Sequence, residues 1–189
     1  MMFTKNEHKE VMKIRREWAM PNKDTFNVQP IRIFVEKYLD NSIISIDPFS
    51  RNKRWATHTN DLNPSTKAEH HMDALSFLKM LYSSGVRADL VIFDPPYSLN
   101  QCKQSYENIG ITTPSDYATN SIRWTKEKNV LTDIIKKDGC FLHFGWHSNG
   151  MGMKRGFTID EVLLVAHGGA HYDTICLAER KTSEQLKLF

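Results

Sequence analysis

The stretch Val91-Ile92-Phe93-Asp94-Pro95-Pro96-Tyr97-Ser98 constrains this chain more than any other. Its apolar residues read as a strand buried on both faces. Asp-Pro-Pro-Tyr stops that strand at once, because proline brings no N–H to a ladder and pushes the residue before it out of helical space. The Asp94 carboxylate and the Pro95 carbonyl, which is followed by Pro96 and so by no competing N–H, can both accept hydrogen bonds from a flat exocyclic NH2. Tyr97 can stack on the ring that carries the amine. Polarising such an amine exposes its lone pair for in-line attack on an electrophilic methyl, and the prolines fix the acceptors before a substrate arrives. The bland alternative is an Asp-Pro turn that only closes a strand.

The rest of the chain bounds this reading. A length of 189 residues suits one domain, taken here as 1–189, and leaves no room for a large second reader domain. No apolar run is long enough to span a bilayer, and the first ten residues lack the apolar core of a signal peptide, so a cytoplasmic protein with no membrane partner is expected. Cys102, Cys140 and Cys176 are odd in number and far apart, which reads as reduced thiols rather than a disulfide framework. A formal net charge of +3 is compatible with a nucleic-acid partner and equally with a slightly basic soluble enzyme.

Taken in order, 1–40 reads as an N-terminal helical segment. Glu7 to Trp18 is basic at helical spacing, and a second helix opens at Pro30 and runs to Leu39. Ser42 to Asp47 is a beta-branched strand that, like the central one, ends on an acid and a proline: Asp47-Pro48-Phe49. Ser50-Arg51-Asn52-Lys53-Arg54 follows it and contains no glycine. A strand from Trp55 ends near Asp61, where an acid is placed to hold ribose hydroxyls or simply to cap a turn. Asp73 precedes a helix marked by Leu75, Leu78 and Leu81, which Gly85 closes. Residues 98–120 show little apolar periodicity and read as a long functional loop. A helix from Arg123 ending at Lys136-Lys137-Asp138-Gly139, a strand over Cys140–Gly145, and two strands meeting at Gly168-Gly169 complete the pattern.

In this order the motifs Asp-Pro-Phe, Asn-Asp-Leu-Asn, Asp-Ala-x-x-x-Leu and Asp-Pro-Pro-Tyr resemble those of the S-adenosylmethionine-dependent DNA adenine-N6 methyltransferases, over about Thr25 to Arg180. The resemblance implies an α/β, Rossmann-like methyltransferase sheet, mostly parallel, ending in an antiparallel hairpin, with helices on both faces and strand order 3-2-1-4-5-7-6. The third strand is expected to be short or missing. It further implies S-adenosylmethionine as cofactor, held by Thr25, Phe26, Asp47, Pro48, Phe49, Asp61 and Asp73. Asp94, Pro95, Pro96 and Tyr97 would be catalytic. Ser98, Gln101, Lys103 and Tyr106 in the loop, with Arg123 beyond it, would meet DNA around an extruded base. The expected reaction is methyl transfer to N6 of adenine in DNA. Its rivals are an RNA adenine target, N4 of cytosine in DNA, and a non-catalytic nucleic-acid-binding subunit, the last motivated by the missing glycines. Sequence recognition would then come from the loop, the N-terminal segment, a partner subunit or a second copy. The intervals His143/His147 and His167/His171 fall on strands without a third ligand, so no metal is expected.

Overall fold

The computed structural model of the protein describes residues 12–113 and 124–182. Seven strands form one sheet: β1 (Lys13–Trp18), β2 (Ser45–Asp47), β3 (His58–Thr59), β4 (Ala88–Phe93), β5 (Ile135–Gly145), β6 (Phe157–Ala166) and β7 (Thr174–Lys181). Their order across the sheet is β1-β6-β7-β5-β4-β2-β3. β7 runs antiparallel to both β5 and β6, and the other pairs are parallel. Among the described residues the helices are α1 (Gln29–Leu39), α2 (Ala74–Ser83), α3 (Leu99–Glu107) and α4 (Thr125–Ile134). None of them is long and apolar enough to cross a membrane.

β4 is the axis because both of its faces are buried. Val91 and Phe93 join a core with Phe77 and Leu78 of α2 and Leu131 and Ile134 of α4, whereas Leu90 and Ile92 meet Ile31, Phe34 and Val35 of α1. Ala88 falls on the same face as Val91, against the alternation, since the β4–β5 register shifts between Ala88 and Leu90. The Asp89 carboxylate next to that shift accepts from the Ile44 N–H at 2.8 Å and from Lys136 Nζ at 2.8 Å, pinning the start of β2 to β4 and β5. Pro30 sits in the first turn of α1, and Gly85, at φ +78, ends α2 in the left-handed region.

Three readings of the sequence change, those over 7–18, 136–139 and 98–120. The described part of the expected helix over 7–18 is strand β1, exposed at every position; it is held because Arg15 Nε donates to Glu161 Oε1 at 3.0 Å from the neighbouring strand, where Glu161 also takes Lys37 and the Tyr38 hydroxyl of α1. The sheet therefore gains an outer strand beside the hairpin. The third strand, expected to be short or missing, is a single parallel bridge between Asn60 and His70. Lys136-Lys137-Asp138-Gly139 belongs to β5 rather than to a helix end, with Asp138 at φ +65. The long loop over 98–120 opens with helix α3, whose N-terminus Ser98 caps by accepting from the Gln101 N–H at 3.2 Å.

Candidate active site

The carboxyl ends of β2, β3 and β4 open into one cavity of about 710 Å³. Loops meet there because two of these strands run into a residue that cannot extend them, Pro48 after β2 and Pro95 after β4. Asn60, 0% exposed, ties the loops together. Its Nδ2 donates to the Pro48 carbonyl at 3.1 Å and to the Met72 carbonyl at 3.0 Å, and its Oδ1 accepts from the Met72 N–H at 3.1 Å. An amide satisfied on both ends fixes three chain segments relative to one another. Sequence reading passed over Asn60 because its role depends on partners twelve residues away on either side.

Asp61, Asp73, Asp94 and Tyr97 all face this cavity, as do Thr25, Pro48, Phe49, Pro95 and Pro96. Asp61 Oδ2 accepts from the Arg51 N–H at 3.0 Å and Oδ1 from the Asn63 N–H at 2.8 Å; burial raises its carboxyl above the usual range, while those two N–H groups oppose the rise. Asp73 is both the helix cap and a cavity residue: Oδ1 accepts from the Leu75 and Ser76 N–H groups, and Oδ2 from the Tyr106 hydroxyl at 3.1 Å. Asp47 and Phe26 sit behind the wall. Asp47 is 2% exposed and accepts from the Phe49 N–H at 3.0 Å, so it shapes the loop from below; burial raises its carboxyl well above the usual range, opposed by that N–H and reinforced by the charges of Asp94 and Asp61. Phe26 packs edge-on against Phe144 in the core.

The turn after β2 does without glycine in an unexpected manner. Arg51 itself takes φ +51, and the Lys53 N–H closes the turn onto the Ser50 carbonyl at 2.9 Å. A non-glycine residue there costs about 1 kcal/mol. The loop thus keeps a left-handed residue and gains a cation: Arg51 Nη1 contacts the Lys23 carbonyl and Asp24 Oδ1, each at 2.8 Å, across the cavity mouth. Its charge opposes, in small part, the rise that burial imposes on both the Asp61 and the Asp94 carboxyls.

At the end of β4, burial pushes the Asp94 carboxyl up to about 6, against a hydrogen bond from the Tyr97 hydroxyl to Oδ1 at 2.6 Å. That hydroxyl also stands 3.4 Å from Thr25 Oγ1, and the Tyr97 N–H donates to Gln101 Oε1 at 2.7 Å. Three aromatics unmarked in the sequence complete the site. Trp124, at φ +49, lines the wall with its ring edge-on to Phe49 at 5.1 Å. Trp146 follows β5 and lies 5.6 Å from Tyr97, and Tyr172 lies 4.8 Å from Trp146 at the mouth. Of the expected nucleic-acid contacts, Gln101 and Tyr106 line the cavity, Ser98 caps α3, and Lys103 pairs with Glu107 at 3.4 Å on an exposed helix face. Arg123 lies outside the described residues. Among the described residues no three His, Cys, Asp or Glu side chains gather as a metal set; His167 bonds the Ala19 carbonyl and Thr174 Oγ1.

No family model and no curated protein matches the sequence. Solved structures do match the fold. SMU.776, a provisionally assigned methyltransferase solved in complex with SAH, superposes with a TM-score of 0.51 at 14% identity, over 77% of this chain and 48% of that one. A provisionally assigned SAM-dependent methyltransferase from Streptococcus mutans follows at TM-score 0.48 and 14% identity, over 78% of this chain and 48% of that one. TrmN from Thermus thermophilus gives 0.49 at 11%, over 82% and 49%. The chain spans about half the length of these solved chains. At such identities the likeness is one of fold, and the mixed sheet with its antiparallel end is that of the methyltransferase fold.

Proposed function

We propose that the protein transfers a methyl group from S-adenosylmethionine to the N6 amino group of adenine in DNA. The observation that carries the reading is the convergence of Asp61, Asp73 and Asp94 on one cavity, with Asp94 fixed by Tyr97 at the end of a buried strand. The donor set suits the cofactor: carboxylates at Asp61 and Asp73 for ribose hydroxyls and a ring amine, apolar walls from Phe49, Leu62 and Met72, and the Arg51 cation for a carboxylate. When bound, S-adenosylmethionine supplies an electrophilic methyl on a sulfonium. Asp94 and the Pro95 carbonyl accept hydrogen bonds from the target amine and direct its lone pair. Tyr97 bounds the ring. As nitrogen gains the methyl it sheds a proton, and a carboxylate with a value near 6 is suited to receive it before solvent does. Because the left-handed turn is maintained at Arg51, the absence of glycines is a weaker argument for a non-catalytic subunit than the sequence suggests.

The test is transfer of labelled methyl from S-adenosylmethionine to unmethylated DNA and to RNA, with digestion to nucleosides and Asp94→Ala alongside. Labelled N6-methyladenine from DNA, lost in the variant, is expected. Label on RNA or on cytosine would replace the substrate and keep the chemistry. Absence of both label and SAH binding would end the enzyme reading.

A further inference from the structure

Tyr97, Trp146 and Tyr172 form a connected row of rings that begins at the candidate catalytic acid and ends in solvent. Tyr97 bonds Asp94, Trp146 meets Tyr97 at 71°, and Tyr172 meets Trp146 at 43°. The chain builds this row from three distant places: the end of β4, the residue after β5, and the connection between β6 and β7. Tyr172 at the outer end is 72% exposed. A tyrosine this exposed contributes little to its own core, yet it lines the same cavity as Asp94. The lining of that cavity also carries the cations Lys23 and Arg51, alongside the carboxylates of Asp61, Asp73 and Asp94.

We infer that the outer part of this row, Trp146 and Tyr172, is a stacking platform for the unpaired bases flanking the target, and that the preferred substrate is a single-stranded nucleic acid rather than an intact duplex. The inference rests on the proposed methyl transfer and adds the class of substrate. In a duplex the faces of neighbouring bases are covered by stacking, so an exposed ring beside the target finds no free face; in a single strand every base offers one. The adjacent rings touch each other, so no base slots between them, and an open face is offered instead. Base–aromatic stacking is tolerant of sequence, and Lys23 on the same cavity lining is a cation that suits a phosphate accompanying the stacked bases.

The test measures binding by fluorescence anisotropy, in the presence of SAH, of a labelled unstructured oligonucleotide containing one adenine. The same sequence as duplex DNA and as RNA is measured in parallel. The single strand is expected to bind at least about tenfold more tightly than the duplex, and Tyr172→Ala is expected to weaken single-strand binding about tenfold or more, with Tyr172→Phe restoring it. Equal or tighter duplex binding, or a Tyr172→Ala protein that binds the single strand as before, would overturn the inference. DNA and RNA arms identify the sugar. SAH affinity of the variant reports whether the cavity is intact. Failure here with methyl transfer to duplex DNA intact would leave the proposed function standing, whereas loss of SAH binding in the parent protein would remove that function independently.

Discussion

The Tyr97 hydroxyl donates to Asp94 Oδ1 at 2.6 Å, so the ring proposed to bound the target base already occupies part of the acid proposed to hold its amine. In the free protein each fixes the other. An arriving amine competes with that hydroxyl for one carboxylate oxygen, and the hydrogen bond keeps the buried acid more ionised than burial alone would allow.

The pH dependence of transfer follows. In the proposed transfer Asp94 acts as a carboxylate, so kcat/KM is expected to rise as pH passes through about 6 and to level off above it. Tyr97→Phe keeps the ring and removes the bond that opposes burial, so the rising limb should move up by about one pH unit. A limb that stays in place would separate the two residues functionally.

Asp94→Asn should divide chemistry from stability. The folded carboxyl sits at about 6 against an ordinary 3.8, so the stability it contributes is fully present below that ordinary value and is lost as pH rises through about 6. Asparagine carries no charge to desolvate. In urea unfolding the variant is expected to exceed the parent by about 1–3 kcal/mol at pH 8 and to match it near pH 4, while methyl transfer falls at least about 100-fold.

Arg51→Gly returns the loop to the residue that its φ of +51 favours. Relief of backbone strain and loss of the exposed pair with Asp24 act in opposite directions, so stability should change by less than about 1 kcal/mol. SAH binding, read by calorimetry, should weaken about tenfold or more if the guanidinium meets a carboxylate of the cofactor, since hydrogen bonds to charged groups contribute about 1.5–3 kcal/mol. Unchanged affinity would assign Arg51 to the Lys23–Asp24 contact alone.

Gly150→Ala tests the link between β5 and β6. A Cβ there would lie 1.8 Å from Glu179 Oε2, and that carboxylate is itself held by the Met151 N–H at 2.6 Å and the Gly152 N–H at 2.9 Å. With the acid buried it has nowhere to retreat, so the variant should lose about 2–3 kcal/mol in denaturant unfolding.

What the sequence disclosed was what neighbouring residues decide. Asp-Pro-Pro-Tyr after an apolar run and Asp73 before Leu75, Leu78 and Leu81 carry their geometry within a few positions. β1 was hidden because Lys13–Trp18 is polar and exposed, and its pairing depends on Glu161, far along the chain. α3 escaped notice since only Cys102 and Tyr106 of its nine residues are buried, which leaves no stripe to read. A signal was nevertheless present: Ser98 with Gln101 three positions later is a capping pattern, and here Gln101 reaches back to the Tyr97 N–H. Trp146 and Tyr172 could not be paired from sequence, because the strands that bring them together are neighbours only after β7 has entered between β5 and β6.

The pairing of β1 bears on how the chain reaches its native state during synthesis. β1 has its partner in β6, with Lys13 opposite Glu161 and Trp18 opposite Ala166. A nascent chain that has released its central strands and both flanking helices still holds β1 as a loose, basic, partly apolar ribbon with no edge to join. Such long sequence separation slows closure and extends the time an unpaired strand is exposed. Until the hairpin of β6 and β7 has emerged and docked on β5, the ribbon is available to whatever acidic or strand-like surface lies nearby.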